Sequence, residues 1–569
     1  MDLYNIFNDY VPKRPTIRST KGAVSTGHYL ATQAGSLILN QGGNAIDAGV
    51  AAGLCLNVVH NDMCSLSGVA PIILYNSSKR KVFSLAGVGV YGEHTNVDVL
   101  IEKYKSKKIS WPDNTIVPAA LDSWITALRD HGTKSFSEVV QPALEYCEDG
   151  YPVGKFQNLT INTFIDTYRL WKVNKSIFLV NNKAPEVGER IIQKQLSNTI
   201  KKLINIEKNN SLHGRESALT SIRDYFYKEK LSSKLVDFGK NIGSVLNKKD
   251  YSNFKIKYEI PHMVKFHDME IYTCGPWSQG PVLIQSLKFL DSYKNDYLKK
   301  GNLNVYHQIV ESLKLAFNDR NQFYGDPDFV KVPMKRLLSK DYAKQKIYKN
   351  ITDFKNDYNK KNNKDDIKID QKNDMVGTSY VAVMDCSGNI FSATPSDGYS
   401  QGGICPELGL HISERGSQGS LAKNNPNFIM PMKRPRITPN PSIILKNGSP
   451  YMALGSPGND RQPQAMLQVL LNMEIFGFEP QKAIELPRLA SFSFPSATHP
   501  NKSYPNLLMI EEDFPDQIAI LLKEYGHNVK KWPRMFWQAG GVCLVRYNHC
   551  NNTFESGADP RRDSYAQGI

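Results

Sequence analysis

A polar run that ends abruptly in apolar, β-favouring residues constrains this chain more than any other feature. Residues 344–374 are dominated by Lys, Asn and Asp with few apolar residues. Such a run buries too little surface to offset its own ordering entropy, so a mobile surface tether is predicted over 344–374. It feeds straight into Gly377-Thr378-Ser379-Tyr380-Val381-Ala382-Val383-Met384, which reads as a buried strand. Asp385-Cys386-Ser387-Gly388-Asn389 supplies a turn, and Ile390-Phe391-Ser392-Ala393-Thr394 a second strand. A tether that enters a core strand through a Gly-Thr pair suits a peptide bond that is meant to be cut.

The chemistry of such a cut is specific. Breaking the bond between Gly377 and Thr378 gives Thr378 a free α-amine beside its own hydroxyl. An α-amine titrates near ~7.7–8, so at neutral pH a useful fraction can take the hydroxyl proton. A threonine hydroxyl with its own terminal amine is one variant of triad logic. Gly377, without a Cβ, tolerates the backbone strain of self-cleavage. The products would be a large subunit, 1–377, and a small catalytic one, 378–569. Neither could bury its sheet faces alone, so they are expected to stay together. The predicted chemistry needs no metal and no cofactor.

Composition narrows the class. The 569 residues suffice for a large core. The net charge of +15 comes from Lys residues scattered among Asp and Asn, which reads as solvated surface rather than a nucleic-acid site. Residues 1–20 hold no apolar run of signal-peptide type, and no apolar stretch is long enough to span a bilayer. The eight cysteines show no C-x-x-C spacing and read as free thiols, so a cytoplasmic location is expected.

Along the chain, helices are predicted over 31–39 and, capped by Asn44, over 45–58, with Gly42-Gly43 as the stop between them. Strands follow at 72–75 and 82–85. Ser135-Phe136-Ser137-Glu138 is a capping pattern, and a Lys-rich helical lobe occupies 155–260. Pro281 opens a helix after the loop that contains Trp277, a candidate for lining a substrate pocket. An amphipathic helix covers 306–319, and Asp326-Pro327 makes a turn.

Gly42-Gly43-Asn44-Ala45-Ile46-Asp47-Ala48, Thr378-Ser379-Tyr380, Lys433-Arg434-Pro435 and Gly455-Ser456-Pro457-Gly458 fall in this order and spacing. They resemble the γ-glutamyltranspeptidase family of self-processing N-terminal-nucleophile hydrolases. The resemblance implies an α+β fold, a four-layer αββα sandwich with a peripheral helical lobe. It implies Thr378 as nucleophile, Ser396 as its supporting hydroxyl, and the backbone N–H groups of Gly458 and Asn459 as oxyanion donors. Arg436 and Thr438 are its candidates for holding a substrate carboxylate. It implies a small-molecule amide substrate, no nucleic-acid or membrane partner, and room for further dimerisation.

The chain departs from the transpeptidases proper in its charges. No Arg or Glu lies in 85–91, where they place a substrate-gripping Arg-Glu pair. Gly398 stands where they use an Asn, and Gly416, Ser417 and Gln418 stand where paired Asp residues are expected. The resemblance therefore implies transfer or hydrolysis of a γ-glutamyl or similar small acyl group, with an oxamate-type or acylase-type amidohydrolase as the alternative. A reading of another class is a non-catalytic basic binding protein that keeps the fold. It predicts an uncut chain and salt-sensitive binding of DNA.

Overall fold

The computed structural model describes residues 7, 9–293, 302–357, 377–399 and 402–569. Two seven-stranded antiparallel sheets form its centre. The first runs, edge to edge, Tyr565–Gly568, Gly22–Thr26, Val381–Asp385, Ile390–Ala393, Ile72–Asn76, Lys81–Leu85 and Tyr258–Glu259. The second runs Ile17–Ser19, Thr553–Ala558, Cys543–Asn548, Ser449–Gly455, Ser442–Lys446, Met269–Thr273 and His262–Phe266.

Strand Val381–Asp385 explains why the sheets stack. It is buried along its whole length, and its side chains alternate between two cores. Val381 and Val383 join Phe391, Ile72 and Leu74 against the helices Tyr29–Asn40 and Ala45–Val59. Tyr380, Ala382 and Met384 point the other way, to Ile443, Ala453 and Val545 of the second sheet. Each of the larger apolar side chains contributes roughly 1.5–3 kcal/mol of burial, so a slip of one residue would misplace the whole set. Helices Gly280–Leu290, Val305–Phe323 and Gln462–Glu474 cover the far face of the second sheet through Ile444, Met452 and Leu454. The layers are helix, sheet, sheet, helix.

Local signals place these elements. Asn44 and Asp47 form a capping box on the helix Ala45–Val59, and Ser135 and Glu138 form one on Phe136–Glu148. The Asp385 carboxylate in the predicted hairpin turn accepts from Ala45 N–H at 2.7 Å, so this turn also anchors the start of a layer-one helix. The Lys-rich lobe forms Lys194–Asn210, Arg215–Tyr227, Lys230–Ile242 and shorter helices, and its apolar residues extend the first helical layer.

The tether reading is corrected over its first part. Residues 340–357 form the helix Lys340–Asp357, because Ala343 and Ile347, one turn apart, bury against the second helical layer. The rest of the polar run, from 358, lies outside the described residues, as do Met375 and Val376. All eight cysteines are free, six buried and two, Cys386 and Cys550, exposed. Among the described residues, no helix is long and apolar enough to cross a membrane.

Candidate active site

Thr378 sits just ahead of strand Val381–Asp385, buried, in an isolated antiparallel bridge with Ser396. The bridge brings two hydroxyls together: Thr378 Oγ1 and Ser396 Oγ are 2.8 Å apart. The chain is continuous here, and the carbonyl of Gly377 occupies the centre of the cluster. Its oxygen accepts from Thr378 Oγ1 at 2.7 Å, Ser396 Oγ at 2.5 Å, Arg415 Nη2 at 2.7 Å and Asp397 N–H at 3.2 Å. Arg415 Nη2 also donates to Ser396 Oγ at 2.6 Å. A carbonyl oxygen holds two lone pairs, so four donors crowded on one is an environment shaped for a full negative charge.

Gly377 is required here by contact rather than by an unusual backbone angle. A Cβ on it would lie 2.7 Å from Met63 O and 2.9 Å from Asp62 O. The expectation of strain tolerance is thus replaced by close packing against the loop after helix Ala45–Val59.

Arg415 is the residue the sequence reading missed. It lies in the short helical turn Arg415–Gln418 and is 2% exposed. Burial lowers its pKa, against the pull of Asp397 and Glu414. Its Nε and Nη1 have no hydrogen-bond partner among the described residues. Asp397, pushed up by burial, is brought below its ordinary value by His411, Arg415 and Ser413. Burial and the Asp397 charge push the Glu414 carboxyl up to about 8. Two charged residues in a row inside Gly409-Leu410-His411-Ile412-Ser413-Glu414-Arg415-Gly416 were the available signal. Ser379, next to Thr378, is held through its Oγ by His60 Nδ1 at 3.1 Å, and burial keeps that imidazole neutral.

The Gly455–Asn459 turn reaches the same end of the sandwich. Gly455 ends its strand on the ring of Tyr380, where a Cβ would come within 2.1 Å of a ring carbon. Gly458 takes φ +126° and Asn459 φ +55°, and the latter opens the short turn Asn459–Arg461. Directly after it, Asp460 and Arg461 line a cavity of about 290 Å³ with Lys107, Lys108, Phe492 and Lys502. Thr378 does not line this cavity. His499, also on its wall, donates its backbone N–H to Ser417 O at 3.4 Å, which links the cavity to the Arg415 turn.

Three sequence candidates have contacts elsewhere. Arg436 Nη1 donates to Arg320 O at 2.9 Å and to Tyr324 O at 3.4 Å, which ties its loop to the second helical layer. Thr438 pairs with Gln418, its N–H donating to Oε1 at 3.0 Å. Trp277 is fully buried between the sheets and donates Nε1–H to Glu259. None of them hydrogen-bonds the Thr378, Ser396 and Arg415 group.

A four-layer sandwich with a hydroxyl residue at the head of an inner strand is the architecture of the N-terminal-nucleophile hydrolases. The family model for Gamma-glutamyltranspeptidase matches residues 31–569, and the chain belongs to that family. It is 31% identical to the glutathione hydrolase-like YwrD proenzyme of Bacillus subtilis, over 97% of this chain and 99% of that one. It is 27% identical to the acylase ACY 1 proenzyme of Pseudomonas sp. strain SE83, over 95% and 92%. The solved structure of LmbA2991T421A superposes with a TM-score of 0.88 at 29% identity, covering 98% of this chain and all of that one. The protein is therefore a hydrolase or acyltransferase acting on amide bonds.

Proposed function

We propose that the chain cuts itself between Gly377 and Thr378 and then acts as an N-terminal-threonine amidohydrolase. The observation that carries this reading is the set of donors on the Gly377 carbonyl oxygen. Ser396 Oγ bonds both Thr378 Oγ1 and Gly377 O. As Thr378 Oγ1 attacks the Gly377 carbon, Ser396 Oγ takes up its proton and relays one toward the Thr378 nitrogen, so the negative charge falls on the Gly377 oxygen. Arg415 Nη2 and Asp397 N–H offset the charge that develops on that oxygen. Collapse breaks the C–N bond, the nitrogen takes a proton, and Gly377 is left as an ester on Thr378 Oγ1. Water then adds to the ester. Its hydroxyl stays with Gly377 as a carboxylic acid, and Thr378 regains its hydroxyl proton and keeps a free amine.

The same hydroxyl then attacks an amide substrate, with the α-amine as proton acceptor. The N–H groups of Gly458 and Asn459 are the donors we assign to the substrate oxyanion. The names of the relatives, proenzymes among them, support two subunits cut from one precursor.

For the acyl group we favour a short chain that bears a carboxylate and no ammonium over γ-glutamyl, which bears both. Departure of the Gly377 oxygen leaves a buried guanidinium beside the nucleophile, with Nε and Nη1 unpartnered among the described residues. That favours an anionic oxygen. Residues 416–418 supply no acid for an ammonium group, burial pushes the Glu414 carboxyl up, and the Asp397 carboxylate is already taken by Ser413 Oγ and the Glu414 N–H.

Intact mass of the purified protein tests the first step. Wild type is expected as two fragments split before Thr378, and Thr378→Ala as one chain; a single active wild-type chain refutes it. A panel of anilides then compares oxalyl, glutaryl and γ-glutamyl groups. A γ-glutamyl preference above about tenfold would overturn the reading that the site takes no ammonium.

A further inference from the structure

Far along the chain from the Thr378 cluster, one group of side chains has the composition of a cation site. Helix Val305–Phe323 carries His307 and Glu311 four residues apart, so both project from one face. Gly526, at φ +77°, turns the chain after helix Asp516–Glu524 and delivers His527 to that face. His527 N–H donates to Leu522 O at 3.1 Å, which fixes its backbone. The His307 ring stacks on Tyr525 at 4.1 Å and 13°, and Tyr525 Oη donates to Asn304 Oδ1 at 3.0 Å. The His307 ring and the His527 backbone are therefore held before any ligand arrives.

His307 Nδ1 and His527 Nε2 lie 3.0 Å apart. One donor atom from each of His307, Glu311 and His527 lies within 4.8 Å of the other two. Two nitrogens bound to zinc at ~2.0–2.1 Å with tetrahedral angles are roughly 3.3 Å apart. The rings need open by only a few tenths of an ångström. Glu311 and His527 are buried, and His307 is half-buried. Lys314 Nζ sits 2.8 Å from one Glu311 oxygen; its side chain is 27% exposed and has solvent to swing into.

We propose that His307, Glu311 and His527 bind a divalent cation of the zinc type, with water as the fourth ligand. Two imidazoles and one carboxylate suit zinc, whereas calcium and magnesium prefer all-oxygen sets. The ion joins the second helical layer to the three-stranded sheet of Leu489–Ser491, Leu507–Glu511 and Asn528–Trp532. His307 and Glu311 precede Gly377 and His527 follows it, so the ion would also clip the two subunits if the chain is cut. The site itself stands whether or not that cut occurs.

The test uses untagged full-length protein carrying Cys386→Ser and Cys550→Ser, which removes the two exposed thiols. Zn2+ is titrated by calorimetry, and Co2+ by its visible absorption. The parent is expected to bind one equivalent, with a tetrahedral Co2+ spectrum. His527→Gln and Glu311→Gln should each weaken binding at least tenfold and abolish that spectrum, with amide turnover unchanged. Equal Zn2+ affinity in the parent and both variants, or no binding by the parent, overturns the proposal. Because Glu311→Gln preserves shape, loss of the Co2+ spectrum with an unchanged circular-dichroism melt marks lost ligation rather than lost folding.

Discussion

Arg415→Gln is the sharpest perturbation of the proposed self-cleavage. One nitrogen, Nη2, makes both bonds, to Gly377 O at 2.7 Å and to Ser396 Oγ at 2.6 Å. Both lengths are those of charge-assisted bonds, and the acceptor Gly377 O is where negative charge grows. Removing one such donor from an oxyanion site costs about 2.7–4 kcal/mol, or roughly 10²–10³ in rate. Glutamine is shorter and neutral, so it loses the charge and the reach together. Ser396 and the Asp397 N–H remain, so cleavage should slow by about two to three orders of magnitude and not stop. Arg415→Lys should fall between, because a single ammonium can serve both acceptors only if it reaches them. The assay is mass spectrometry of freshly synthesised chain over time, scoring the fragment 378–569. A rate for Arg415→Gln within about threefold of wild type would refute the assignment, provided the variant folds with a wild-type circular-dichroism spectrum.

Three further outcomes follow from the same geometry. Ser396→Ala removes the hydroxyl between Thr378 Oγ1 and Gly377 O and should slow cleavage by about 10²-fold, the low end for one lost donor; unchanged kinetics would exclude the proton path. Gly377→Ala, made in a Thr378→Ala background so that the chain stays whole, places a Cβ 2.7 Å from Met63 O. It should cost about 1–3 kcal/mol in denaturant unfolding, and an unchanged midpoint would refute the contact. The buried Asp62 carboxyl, which accepts from Thr160 Oγ1, is pushed up by burial to about 7. Unfolded it titrates near ~3.9, so between about pH 4 and 7 the fold keeps a proton that the unfolded chain has lost, and stability falls as pH rises. Asp62→Asn should flatten that fall in a melting series from pH 4.5 to 7.5; a parallel series would show that Asp62 is not its source.

Much of the central scaffold was legible because its signals are local. The hairpin around Gly388, the capping boxes at Asn44 and Ser135, and the helix after Pro281 each depend on residues a few positions apart. The pairing of Thr378 with Ser396 was legible only through resemblance. Arg415 was legible only as half of a charged pair, not as a site residue: its place beside Gly377 O is set by how the Arg415–Gln418 turn packs, across 38 positions of sequence. Trp277 and Arg436 show the converse. An indole and a guanidinium stand out in a string of letters, but the letters do not show that one packs between the sheets and the other bonds the Arg320 carbonyl. The helix Lys340–Asp357 was hidden by its charge, although Ala343 and Ile347 are enough to dock it.

Strand Val381–Asp385 lies between Gly22–Thr26 on one side and Ile390–Ala393 on the other, and Tyr565–Gly568 closes over Gly22–Thr26. Residues from before and after position 377 are thus interleaved like the fingers of clasped hands. A single nick at that point would release nothing, yet it would convert a one-molecule folding problem into a two-molecule one. The midpoint of thermal denaturation would then drift upward with protein concentration in nicked material and stay fixed in the intact Thr378→Ala chain. Regaining the native state after denaturation would demand that two strangers meet, so any cutting should follow folding rather than precede it.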